Sequence, residues 1–127
     1  MAKYKKKLDA DIRCPLEYGL TIFGGKSGEY PQKLYKALMN SQTVLTVWDD
    51  ARLVGLIRVL DDSEMLAQIH YVLVHPEYQG QGIAGRMVEY IKEKYKNFMY
   101  LELMPEDKNN VPFYEKHGFH VMENGAA

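Results

Sequence analysis

The sequence predicts a mixed α/β domain, an α+β arrangement with a mixed central sheet flanked by helices. Three observations predict it. Apolar, β-branched runs at residues 43–48, 53–60 and 65–74 are separated by Asp49-Asp50-Ala51-Arg52 and Asp61-Asp62-Ser63-Glu64, which supply turns. The period then changes, because Ile83, Met87, Ile91 and Tyr95 recur at i, i+4, i+8 and i+12, with Ala84 and Val88 beside them. A fourth strand-like run, residues 98–104, follows that helix. Two strands joined through a helix lie parallel with a right-handed crossover.

Each element has a local justification. Residues 16–23 are apolar enough for a helix, which Pro15, Gly19 and Gly24-Gly25 keep short and interrupted, and Ser27-Gly28 reads as a loop. Pro31 suits the first turn of a helix reaching Met39, with Leu34, Tyr35, Leu38 and Met39 as its apolar stripe and Asn40-Ser41 as its close. The runs at 43–48 and 53–60 form a hairpin, and the third run extends the sheet. The long helix runs from Gly82 to about Tyr95, where Lys96-Asn97 stops it. Residues 105–108 are loop. Asn109 or Asn110 caps a short helix through His117, and Gly118 ends it in the left-handed conformation. Residues 119–122 complete the order as a last short strand.

Composition bounds the function. A chain of 127 residues is expected to form one domain, residues 1–127. Its 46% apolar and 26% charged residues are those of a soluble globular protein, and no apolar run approaches the ~20 residues of a membrane span. Residues 3–7 are basic without a following hydrophobic region, so the start does not read as a secretory signal. They read as a solvated terminus rather than an anion-binding patch. Cys14 is the single cysteine, which excludes an internal disulfide and favours a reducing, cytoplasmic setting; it reads as a packed or incidental thiol. A net charge of −1 argues against a general nucleic-acid binder. No His/Cys/Asp/Glu set has metal-ligand spacing, so no metal is expected.

The chemistry concentrates where Val72-Leu73-Val74-His75-Pro76-Glu77-Tyr78 leads into Gln79-Gly80-Gln81-Gly82-Ile83-Ala84-Gly85-Arg86. The glycines fall at the first turn of the long helix, where backbone N–H groups lack intrahelical partners and the helix dipole favours an anion. This is a phosphate cradle. Residues 80–85 satisfy G-x-G-x-x-G, with Glu102 near the place of a ribose-binding acid, but in the dinucleotide fold the first glycine follows the strand almost directly. Here residues 75–79 intervene, and Pro76 ends strand pairing.

Gln79-x-x-Gly82-x-Ala84 instead matches Q/R-x-x-G-x-G/A, and with the preceding Val72-x-Val74-x-Pro76-Glu77-Tyr78 it resembles the acetyl-CoA site of the GNAT (general N-acetyltransferase) superfamily. Phe113-Tyr114-Glu115-Lys116-His117-Gly118-Phe119 is similar to the F-Y-E-K-x-G-F run of many members. Thr46-Val47-Trp48-Asp49 and Leu53-Val54-Gly55 look like the family's second and third strands, so the resemblance covers about residues 43–122. In the family a further strand usually follows; the sequence closes on Glu123-Asn124-Gly125-Ala126-Ala127, so that strand is missing, cut away or supplied by a partner.

The resemblance implies acetyl transfer from acetyl-CoA to a primary amine of a small molecule or peptide by direct attack. It assigns Gln79, Gly80, Gln81, Gly82, Ile83, Ala84 and Gly85 to the cofactor's pyrophosphate end. It assigns the backbone of Val72, Leu73 and Val74 to the pantetheine arm, which completes the ladder where two strands splay apart. Tyr114 occupies the family's tyrosine position near the sulfur, as general acid; a phenol with an unperturbed pKa of about 10 suits protonation of a thiolate. Otherwise Tyr114 is a core aromatic.

Period-2 alternation places Gln68, His70, Val72 and Val74 on one face of the third strand. Gln68 falls where some members carry a glutamate base and cannot take a proton. His70 falls where arylalkylamine N-acetyltransferases place a histidine implicated in proton removal, and imidazole suits that task near neutral pH. His75, His117 and His120 are weaker candidates, the last two expected at the surface. Arg86 and the lysines at 92, 94 and 96 face phosphate or solvent. Tyr18, Phe23, Tyr30, Tyr35 and Trp48 either line the acceptor site or form core. Members of the family are often homodimers, though no dimer surface is legible here. Two rival functions stand beside the enzyme: a catalytically silent acyl-CoA sensor on the same fold, and a small dinucleotide-binding domain.

Overall fold

The computed structural model describes residues 3–5, 30–50, 52–105 and 107–122. Its β-rich middle is an antiparallel meander of β2 (Thr43–Asp49), β3 (Arg52–Asp61) and β4 (Leu66–Val74). After the helix α2 (Ile83–Lys94), β5 (Tyr100–Leu103) returns parallel to β4, as a strand–helix–strand order requires. The short β1 (Lys3–Lys5) pairs antiparallel with β2, giving a five-stranded sheet in the order β1-β2-β3-β4-β5. Residues 3–5, expected in a solvated terminus, are thus an edge strand. An edge is hydrogen-bonded on one side alone, so it tolerates a lysine-rich sequence.

Both faces of the sheet are covered, which is why β2 and β3 read as nearly continuous apolar runs. On one face Val47, Val54, Ile57, Val59, Ala67 and Ile69 bury against Ile83, Met87, Val88, Ile91 and Tyr95 of α2 and its C-terminal end. On the other, α1 (Pro31–Met39) sets Leu34 and Leu38 on Val44, Trp48, Leu53 and Leu56. α3 (Val111–Lys116) follows a 3-10 turn at Lys108–Asn110. No helix among the described residues is long and apolar enough to cross a membrane, and among them no group of three or more His, Cys, Asp or Glu could hold a metal ion.

Two expectations are corrected. Residues 119–122 are not a strand. Gly118 takes φ +96°, and the Phe119 N–H then donates to Tyr114 O at 3.1 Å, so the chain folds back on the end of α3 instead of crossing to β5. Alternation along β4 also fails. The β3 register pairs Arg58 with Tyr71 but Val59 with Ile69, which leaves His70 as the extra residue of a β-bulge. Side-chain phase reverses there: Val72 and Val74 join Ala67 and Ile69 on the α2 face, while Tyr71 and Leu73 pack on the α1 face. The expected helix at 16–23, the Ser27-Gly28 loop and Cys14 lie outside the described residues.

One carboxylate oxygen gathers three N–H groups of the β3–β4 turn. Asp62 Oδ1 accepts the N–H groups of Glu64 at 2.9 Å, Met65 at 2.8 Å and Leu66 at 3.1 Å. These bonds, Glu64's foremost, hold the Asp62 carboxyl below the usual range. A depressed folded value stabilises the protein above the unfolded pKa of about 3.9 and ceases to do so as pH falls through the folded value. Asp62→Ala is therefore expected to lower the thermal midpoint at neutral pH, with the gap to wild type closing on acidification below about pH 4. Melting curves of both proteins at the two pH values check it.

Candidate active site

Residues Pro76–Tyr78 form a 3-10 turn between β4 and the glycines. His75 is buried and caps this turn, its Nδ1 accepting the Glu77 N–H at 3.1 Å, and its ring meets Tyr78 edge-on; it is a structural residue. The β2–β3 hairpin clamps the turn in place. Tyr78 donates to the Asp49 carboxylate, and Arg52 donates to Glu77 Oε2 at 2.5 Å. Hydrogen bonding to Asp49 and burial push the Tyr78 phenol above its usual range.

Gly80 and Gly82 both sit in the left-handed region, at φ +83° and +82°, where a side chain would be strained. Gly82 is the N-cap of α2 and supplies no side-chain cap. The helix ladder begins with Arg86 N–H to Gly82 O at 3.1 Å, so the N–H groups of Ile83, Ala84 and Gly85 precede it. A Cβ built on Gly80 or Gly82 meets nothing within 4 Å, so the loop leading to these donors is uncrowded at both glycines. That donor set fits a pyrophosphate. Within the cradle, the Ile83 side chain is buried in the core and only its backbone faces outward, while Gln81 is exposed. The Gln79 side-chain amide donates to Val74 O at 3.2 Å, tethering the loop to the end of β4.

Beside the cradle the sheet opens. β4 and β5 pair at Leu66↔Tyr100, Ala67↔Leu101, Gln68↔Glu102 and Ile69↔Leu103, and there the pairing ends. Beyond it, Val72, Leu73 and Val74 have β3 as their strand neighbour among the described residues. The gap is a small, open cleft lined by β4 residues 69–73, by Leu103, Met104 and Pro105, and by Asn110 and Tyr114. Tyr114 is half-buried, its ring edge-on to Phe113 at 5.0 Å and to Phe119 at 6.0 Å. α3 is pinned to α2 from behind: His117 Nδ1 lies 2.6 Å from Glu89 Oε2, and Lys92 Nζ donates to His117 O at 2.6 Å. The bond to His117 holds the Glu89 carboxyl below its usual range. The approach is close enough that a Cβ on Gly85 would lie 3.2 Å from His117 Nε2. His117, expected at the surface, is thus a tie between the helix carrying the cradle and the helix carrying Tyr114.

His70 also lines the cleft, and its Nδ1 is 2.8 Å from Arg58 Nη1. A guanidinium only donates, which assigns the lone pair to Nδ1 and the ring proton to Nε2. Gln68 and Glu102 face each other as exposed residues of the β4–β5 pair, so Glu102 is a strand residue. Trp48 is buried core, with Nε1 donating to Thr46 Oγ1 at 2.9 Å. Tyr35 packs on the same core, Tyr30 is exposed, and neither lines the cleft; Tyr18 and Phe23 lie outside the described residues. His120, Arg86, Lys94 and Lys96 are exposed. Two groups, one lining the cleft and one bonded to a residue that lines it, escape a reading of the sequence. Asn110, expected as a helix cap, makes no side-chain cap bond and lines the cleft instead. Arg58 interrupts an apolar strand, a signal visible in the sequence but without an evident meaning there.

The chain is similar to known proteins in sequence and fold. The profile of the acetyltransferase (GNAT) family matches residues 16–119. The chain is 34% identical over 117 residues to the uncharacterized N-acetyltransferase of the lysA 3′ region of Bacillus methanolicus, covering 91% of this chain and 92% of the relative. It is 28% identical over 99 residues to an uncharacterized ycf52-like N-acetyltransferase from Prochlorococcus marinus, covering 74% of this chain but spanning only 55% of that relative's length. Among solved structures, a probable acetyltransferase of unknown function from meticillin-resistant Staphylococcus aureus superposes with a TM-score of 0.79 at 28% identity, covering 100% of this chain and 96% of the other.

Proposed function

The chain belongs to the acetyltransferase (GNAT) family, and from that premise we propose that it acetylates the primary amine of a small molecule or peptide with acetyl-CoA. The observation that carries this reading is the seam between β4 and β5, with Tyr114 on its wall and the glycine-opened start of α2 beside it. Acetyl-CoA supplies an activated acetyl thioester. The N–H groups of Ile83, Ala84 and Gly85, with the loop backbone from Gln79 to Gly82, hold the pyrophosphate. Val72, Leu73 and Val74 offer their backbone to the pantetheine amides as a strand edge.

In the transfer the amine nitrogen bonds to the acetyl carbon as the carbon–sulfur bond breaks. Tyr114 gives its phenolic proton to the departing sulfur. The surplus proton on nitrogen passes to His70, directly or through water. No serine or cysteine need carry the acetyl group.

The test is release of free thiol from acetyl-CoA across arylalkylamines, polyamines, amino acids, aminoglycosides and lysine peptides, with each product identified by mass. Turnover that depends on one amine class is the expected result. Tight binding of acetyl-CoA with no turnover on any amine would favour a silent acyl-CoA sensor. Binding of NADH without binding of CoA would favour a dinucleotide domain.

A further inference from the structure

Arg58 stands in an apolar strand, next to the fully buried Leu56 and Ile57. Its guanidinium is half-buried on the α1 face, the side of the sheet away from the cradle helix. Both of its hydrogen-bond partners are neutral: Nε donates to Ser41 Oγ at 2.7 Å and Nη1 to His70 Nδ1 at 2.8 Å. The cation also lies 5.9 Å from the centre of the Tyr71 ring. Among the described residues no carboxylate pairs with it, whereas Arg52, Lys92 and Lys96 each pair with a glutamate. Burial lowers the Arg58 pKa, with only the Tyr71 ring opposing.

A guanidinium has five N–H donors in a planar fork shaped for carboxylate, and Ser41 and His70 take two of them. A cation withdrawn from water without an anion is costly, and an anion delivered by a ligand offsets that cost. The two β4 residues that Arg58 touches, His70 and Tyr71, both line the cleft. Arg58 is therefore one side chain away from where an amine meets the thioester.

We propose that Arg58 is the receptor for a carboxylate on the acceptor, which makes the substrates amino acids and other small amines carrying one carboxylate. The inference rests on the acetyl-transfer reading above. One guanidinium matches one negative charge. A phosphate dianion calls for more, and the described residues lining the cleft include no lysine and no arginine, which leaves Arg58, behind His70 and Tyr71, as the nearest such cation described.

The experiment compares matched amines: phenylalanine with phenethylamine, lysine with cadaverine, and β-alanine with phosphoethanolamine. Each is assayed with wild type, Arg58→Gln and Arg58→Lys. Wild type is expected to prefer the carboxylate member of each pair. Arg58→Gln should lower kcat/KM for that member by about 10- to 100-fold, mostly through KM, and change the decarboxylated amines by less than about threefold. Arg58→Lys should recover part of the loss, and acetyl-CoA affinity should stay at the wild-type value in both variants. Equal use of both members by wild type, an equal loss on both in Arg58→Gln, or a preference for phosphoethanolamine overturns the proposal. A binding arm separates it from the transfer reading. The CoA-loaded protein is titrated with the same amines, and the thermal shift is followed. If no amine is acetylated, a shift that needs the carboxylate and is lost in Arg58→Gln still supports the receptor, and no such shift overturns it.

Discussion

Tyr114→Phe is expected to lower kcat for amine acetylation by about 100-fold while leaving acetyl-CoA affinity within about twofold of wild type. The substitution removes one oxygen and keeps the ring, so the edge-on contacts with Phe113 and Phe119 survive. The ties of α3 to α2 through Glu89, Lys92 and His117 do not involve the phenol. On the proposed mechanism the substitution removes the proton for the departing sulfur, a transition-state interaction that appears in kcat rather than in ground-state binding. Steady-state kinetics from neutral to alkaline pH, with calorimetric acetyl-CoA binding, decide the matter. An unchanged kcat would make Tyr114 a core aromatic. A joint fall in thermal midpoint and cofactor binding would give it a packing role.

Gly55→Val should damage both stability and cofactor binding from a residue that touches no cofactor. Gly55 lies on β3 under the first residue of α2, where a Cβ would come 3.1 Å from Ile83 Cγ2 and 3.2 Å from Val47 Cβ. Neither neighbour has room to retreat: Val47 is 0% and Ile83 4% exposed. Overpacking of this kind costs about 1–3 kcal/mol. Lifting the start of α2 relieves it, and that moves the Ile83, Ala84 and Gly85 donors away from the Gly80–Gly82 turn. Acetyl-CoA affinity is expected to fall about tenfold or more, which denaturant unfolding and equilibrium binding would measure separately. Lost stability with unchanged affinity would place the adjustment on the β2 side instead.

The elements from residue 43 to 103 were legible because each announces itself locally. Aspartate-rich turns separate the strands, and the i, i+4 stripe of Ile83, Met87 and Ile91 defines α2. The cradle was legible for the same reason, since glycines at a helix start expose donors whatever the rest of the chain does. The resemblance then linked it to Tyr114. Residues 119–122 misled because β-branched and aromatic content measures fitness for a pleated surface, not the presence of a partner strand. Trp48 could equally have been lining or core, and its burial under α1 made it core.

By itself the sequence determined the α/β class, the order of elements from Pro31 to Lys116, the glycine cradle and the family, because these are encoded in residues near one another along the chain. The tertiary structure decided the rest. Register between β3 and β4 placed a bulge at His70 and turned Val72 and Val74 to the opposite face from the one alternation implies. The end of β4–β5 pairing at Ile69 and Leu103 opened the cleft, and packing of α3 on α2 brought His117 to Glu89 and Tyr114 to the cleft wall. Only across strands does Arg58 meet Ser41 and His70 without a carboxylate among the described residues. Such facts depend on which segments become neighbours, and a local pattern of residues does not carry that information.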